Sequence, residues 1–178
     1  MAAIHAVLAA FPGGAVALPD DLYHGVMTLI DTVLGPWGLK VVRYAADGGT
    51  AAVEKALDEA VALAGADKAL LWLETPSNPL LRIVDIAAAC EAARSRGVAS
   101  AVDATWLTPV LCRPLDLGAD VVVHSVRDGG TGPRPLAPRL RRGRHRQTLC
   151  PVRARACFAT SRLCLRVPRR MSSPTRRR

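Results

Sequence analysis

Residues 68–125 read KALLWLETPSNPLLRIVDIAAACEAARSRGVASAVDATWLTPVLCRPLDLGADVVVHS, and the reading of this stretch decides the fold. Residues 68–74 are a short apolar run closed by Thr75-Pro76. Proline biases its predecessor to extended geometry and offers a sheet no donor, so a buried strand ends there. Ser77 and Asn78 then stand just past a strand's carboxyl end. Asp85 is placed to cap a helix through Arg96, with Ile86, Ala89, Cys90 and Ala93 at helical spacing and Glu91, Arg94 and Arg96 facing out. Gly97 stops it. Runs 99–102 and 120–123 are the next strands, closed by Asp103 and by His124 and Ser125. Strand, helix, strand, turn, strand predicts a mostly parallel α/β sheet with flanking helices.

Ligands of open α/β sheets sit outside the carboxyl ends of the strands, so Asn78, Asp103 and Ser125 are expected on one rim. Each also has a plainer reading. Asn78 shapes a proline-flanked turn, Asp103 caps a strand end, and Ser125 caps a following helix.

The ordered set TPSNP, DI, VDATW and DVVVHS resembles the Cys/Met-metabolism family of pyridoxal-phosphate (PLP) enzymes, in particular cystathionine γ-synthase and its γ-lyase and β-lyase relatives. The resemblance implies part of an aspartate-aminotransferase-like (fold type I) large domain, PLP as cofactor, a thio-amino-acid substrate and a homotetramer. It puts Asp103 on the pyridine nitrogen, Asn78 beside the phenolic oxygen and Ser125 on the phosphate. A carboxylate that keeps the ring nitrogen charged keeps the ring an electron sink. The family's phosphate turn is Ser-Gly-Met, of which Met1 remains, and its stacking tyrosine falls on Tyr23 in DLYHG. Tyr23 read on its residues alone packs under a loop equally well.

Where the family has the Schiff-base lysine this chain has Asp128, in Val126-Arg127-Asp128-Gly129. Aspartate cannot form an imine, so the resemblance implies a non-catalytic fragment with no catalytic residue at that position. By the same resemblance the family's N-terminal arm, the Ser-Gly of the phosphate turn and the C-terminal domain are expected to be missing as well. A parallel sheet must be covered on both faces, and this share of a large domain predicts that residues 70–73 and 121–123 stand partly bare.

Upstream, residues 1–11 form an Ala-rich helix ended by Pro12-Gly13-Gly14, on which His5 is a structural or surface residue. Residues 15–18 are a strand, 26–33 a helix broken at Gly35-Pro36, and 39–44 a strand. Thr50 is expected to cap a helix whose Val53, Leu57, Ala60, Val61 and Ala64 form a stripe against the sheet, with Glu54, Lys55, Asp58 and Glu59 solvated.

The formal net charge of +9 hides a division of the chain. Residues 1–125 carry 8 Lys or Arg against 14 Asp or Glu, a balance of −6; residues 126–178 carry 16 Arg, no Lys and one acid, Asp128, a balance of +15. The expected organisation is a partial PLP-binding domain over 1–125 and a disordered Arg/Pro-rich tail over 126–178. Arginine without lysine, with scattered Pro, Gly and Cys, reads as out-of-frame or intron-derived sequence. The functional alternative is a basic-tailed protein that binds nucleic acid or other polyanions without sequence preference. Cys150, Cys157 and Cys164 lack zinc spacing, and the free Cys90 and Cys112 suit a reducing compartment. No apolar run reaches the roughly 18 residues of a membrane span and residues 1–11 lack a basic n-region, so the expected setting is the cytoplasm or an organelle stroma.

Overall fold

A computed structural model describes residues 1–125 and 161–165 of the chain. Six strands form one sheet: β1 (Ala15–Pro19), β2 (Lys40–Tyr44), β3 (Ala69–Glu74), β4 (Ala99–Asp103), β5 (Val121–Ser125) and β6 (Ser161–Leu165). Their order is β2-β1-β3-β4-β5-β6, with the first five parallel and β6 antiparallel to β5. The helices are α1 (Ala2–Leu8), α2 (His24–Leu29), α3 (Gly49–Ala64), α4 (Ile86–Ser95) and the short α5 (Thr108–Leu111). A π-helical turn, Ile30–Leu34, prolongs α2.

Both sheet faces are covered along β3 and at Val122 and Val123, which corrects the expectation of bare strands there, while Val121 is half-buried. Alternate residues of β3 enter opposite cores, as a two-residue period requires. Leu71 and Leu73 pack with Val42, Leu57 and Ala93 under α3 and α4. Leu70 and Trp72 pack with Leu8, Val26 and Ile30 under α1 and α2. Every residue from Leu70 to Leu73 is buried, and so are Val122 and Val123. That double burial is why β3 reads as an unbroken apolar run.

The local signals behave as their physics dictates at α4, where the Asp85 carboxylate accepts from the Ala88 N–H at 3.0 Å and Gly97 takes φ +70° beyond the helix end. At α3 the expectation fails. Gly48 is the N-cap and Thr50 lies inside the first turn, because Gly49 at φ +63° turns the chain into the helix two residues early. The charged face of α3 is exposed as expected, and Asp58 there reaches Arg96 at the end of α4, 2.6 Å from its Nε.

From the tail, Ser161–Leu165 pairs with β5 in the register Val121↔Leu165 to Ser125↔Ser161. The physical reason is the edge itself: β5 borders only β4 on its other side, and its unpaired N–H and C=O groups accept another strand. The other tail readings, including Asp128, fall outside the described residues.

Candidate cofactor site

The chain runs from β1 outward to β2 and returns to β3 on the other side of β1. α2, which follows β1, joins the core on one face, and α4, which follows β3, joins the core on the other. Connections that leave neighbouring strands towards opposite faces open a crevice between their carboxyl ends. A cavity of about 480 Å³ lies at these ends. It is lined from the β1 connection by Tyr23, from β3 by Glu74 and Asn78, from β4 by Asp103, Thr105 and Trp106, from β5 by His124 and Ser125, and from the N-terminal end of α1 by Met1 and Ile4. The three residues expected on one rim, Asn78, Asp103 and Ser125, are among them, and so are Met1 and Tyr23, to which only the resemblance assigns a part.

Register places Glu74 beside Asp103 and Asp103 beside Val123. Asp103 is buried, and that burial pushes its carboxyl above the ordinary range. Two bonds from Thr105 oppose the shift, the hydroxyl donating to Oδ1 at 2.5 Å and the backbone N–H at 3.0 Å, and His124 adds a favourable charge interaction. Asp103 Oδ2 has no hydrogen-bond partner among the described residues. The same holds for the Tyr23 hydroxyl, the Asn78 side-chain amide and Ser125 Oγ. Burial holds His124 below its usual pKa, against the pull of Asp103.

The turn carrying Asn78 is braced from beneath. Ser77 Oγ donates to Asp21 Oδ2, which also accepts from the Leu80 N–H at 3.2 Å, and Ser77 Oγ accepts from the Arg82 N–H at 2.9 Å. Both X-Pro bonds of the turn, Thr75-Pro76 and Asn78-Pro79, are cis. The Tyr23 ring lies against Gly25, where a Cβ would stand 2.5 Å from Tyr23 Cε1 and 3.0 Å from Met1 Sδ. A side chain at position 25 would occupy the place the ring takes.

Sequence reasoning passed over Glu74, Thr105 and His124 as site residues. The signal was present for each: a carboxylate closing an apolar strand, a threonine two residues after the rim aspartate, and a histidine beside the rim serine.

The donor set suits a planar, phosphorylated pyridine: an unpaired carboxylate oxygen for a ring N–H, an aromatic face, an amide and a hydroxyl. Among the described residues no lysine lines the cavity, and Lys40 and Lys68 lie at the amino ends of β2 and β3, the far end of the sheet.

Residues 1–127 match the family described as Cys/Met metabolism PLP-dependent enzyme. The cystathionine gamma-synthase of Escherichia coli (strain K12) is 43% identical over 127 residues, 70% of this chain and 31% of the relative. The chloroplastic cystathionine beta-lyase of Mimosa pudica is 40% identical over 126 residues, 70% of this chain and 26% of the relative. Among solved structures, the cystathionine gamma-lyase of Lactobacillus plantarum complexed with L-serine gives a TM-score of 0.62 at 37% identity, covering 70% of this chain and 31% of that one. The chain thus spans less than a third of the length of the curated relatives it matches. With a doubly covered parallel sheet, a cavity at its carboxyl rim and this level of identity, the chain belongs to the Cys/Met metabolism family of PLP-dependent enzymes.

Proposed function

We propose that residues 1–125 hold PLP reversibly and do not attach it. The observation that supports this is the convergence of Met1, Tyr23, Asn78, Asp103 and Ser125 on one cavity that contains no lysine among the described residues. In this reading the unpaired Asp103 Oδ2 takes the ring N–H, the Tyr23 ring stacks on the pyridine, the Asn78 amide meets the phenolic oxygen, and Ser125 binds phosphate. PLP, when bound, supplies an electron sink at its ring. Asp103 keeps that nitrogen charged, and an arriving cation relieves the carboxyl of the burial that raises its pKa. Family enzymes act on amino acids, and a synthase or lyase reaction on a thio-amino acid belongs to the whole-length relatives. This chain, with Asp128 at the lysine position, binds without turnover.

No described helix is long and apolar enough to cross a membrane. The proposed setting is the cytoplasm or an organelle stroma, reducing compartments that suit the free Cys90 and Cys112. Equilibrium dialysis against PLP followed by borohydride reduction and peptide mapping tests the reading. Saturable binding with no reduced lysine is expected. Stoichiometric reduction onto one lysine, or no binding, overturns it.

A second reading rests on the 16 arginines of residues 126–178, which suit a polyanion. Deleting the tail abolishes such binding, and affinity falls steeply with salt for every sequence tried.

A further inference from the structure

The cavity holds one carboxyl more than the PLP reading uses. Glu74, the last residue of β3, is 4% exposed. Both its oxygens accept from a single donor, the Tyr23 backbone N–H, at 3.0 Å to Oε1 and 2.9 Å to Oε2. Tyr23 belongs to the β1 connection and Glu74 to β3, so this bond spans the crevice between two strands whose connections diverge. Tyr23 is also the N-cap of α2, with no side-chain cap of its own. On the other side of Glu74, the Asn78 backbone amide favours the charged carboxylate, and Asp103 is its partner on β4.

We propose that Glu74 is the positioning residue of the cavity: its carboxylate, chelated by the Tyr23 N–H, sets the distance between the Tyr23 ring and the rim formed by Asn78 and Asp103. The inference rests on the PLP reading for its ligand and on the unliganded chain for its geometry. Tyr23 itself makes no other hydrogen bond across the crevice among the described residues; two residues earlier Asp21 holds the same connection to the Asn78 turn through Ser77 and the Leu80 N–H, which leaves Glu74 to fix the Tyr23 end. A slot walled by an aromatic ring on one strand connection and by an amide and a carboxyl on its neighbours admits a flat ring only at one width, and Glu74 sets that width. Ionised, Glu74 offers two acceptor oxygens to the N–H; protonated, it turns one into a donor and loosens the clamp. Burial first, and then the charges of Asp103 and Asp21, push its pKa up to about 7, against the pull of the Tyr23 N–H. The ionisable groups around it are Asp21 from the β1 connection, Tyr44 from β2 and Asp103 from β4, with His124 of β5 and the Met1 amino group of the same cavity both acting on Asp103 beyond it.

The test follows the Tyr23 amide resonance of the isotope-labelled full chain, without ligand, between about pH 5 and pH 9. An inflection near pH 7 that disappears in Glu74→Gln is expected. In the same samples PLP dissociation constants are measured: Glu74→Gln weakens binding about tenfold above pH 7 and removes the inflection near pH 7 from the binding profile. Glu74→Asp, which keeps the charge on a shorter arm, weakens binding while retaining an inflection. A Tyr23 resonance without inflection, or one unchanged in Glu74→Gln, overturns the proposal, and so does a Glu74→Gln chain that binds PLP with wild-type affinity and pH profile. A wild-type chain that shows the inflection yet binds no PLP upholds the clamp and overturns only the PLP reading.

Discussion

The backbone N–H of Ser125 ends on the hydroxyl oxygen of Thr105, 3.0 Å away. That same hydroxyl passes its own hydrogen to Asp103, so one threonine ties the β5 end of the cavity to the β4 end.

Thr105→Val keeps the shape of the side chain and removes both bonds. A buried donor left without an acceptor costs about 1–3 kcal/mol, so urea denaturation should show a loss in that range. Asp103, deprived of the hydroxyl that holds its pKa down, should titrate at higher pH still, and PLP affinity at neutral pH should fall. Thr105→Ser should restore both.

Stability should fall as pH rises towards neutrality. Glu74 titrates at about 7 in the folded chain against an ordinary 4.5, so folding favours its protonated form. That contribution is complete below pH 4.5 and is lost as pH climbs to about 7; Asp103 acts in the same direction. Two groups act in the opposite sense: Asp58, held below the ordinary range by its bond with Arg96, in a more acidic window, and His124, held below its ordinary 6.5 by burial, just short of neutrality, where it offsets part of the decline. Denaturation midpoints measured across the neutral range should decline for the wild type, while Glu74→Gln declines less and is the more stable of the two above pH 7.

Gly14→Ala should be poorly tolerated. A Cβ there would stand 2.2 Å from the Lys68 carbonyl oxygen, and Gly14 and Lys68 lead directly into the paired strands β1 and β3, so neither backbone can give way. Overpacking that no rotamer relieves should cost at least about 2 kcal/mol, read by urea denaturation.

The three tryptophans should report different environments. Trp72 is fully buried, whereas Trp37 is 69% and Trp106 59% exposed, and only Trp106 lines the cavity. PLP should quench the Trp106 emission, so Trp106→Phe removes most of the binding signal and Trp37→Phe leaves it. Equal quenching in the Trp106→Phe chain would place the ligand elsewhere.

Strands buried on both faces write themselves as apolar runs, which is why β3, β4 and β5 and the polar residues that end them were legible along the chain. Asp85 was legible because a cap acts three residues away. Thr50 misled because the conformation of Gly49, which no side chain announces, decides where α3 begins. Glu74 was passed over because its partner lies 51 residues away, and only the return of β3 beside β1 makes them neighbours. β6 was unreadable for a related reason: Ser161–Leu165 has little strand character of its own and is ordered by the edge it meets.

That sixth strand runs against the other five, and its position gives it a protective duty. A chain cut after Ser125 would keep the cavity but uncover the full length of β5, from Val121 to Ser125, as a template for the same strand of another molecule. The shortened protein should therefore self-associate as its concentration rises, edge against edge, and what Ser161–Leu165 contributes to this domain is solitude.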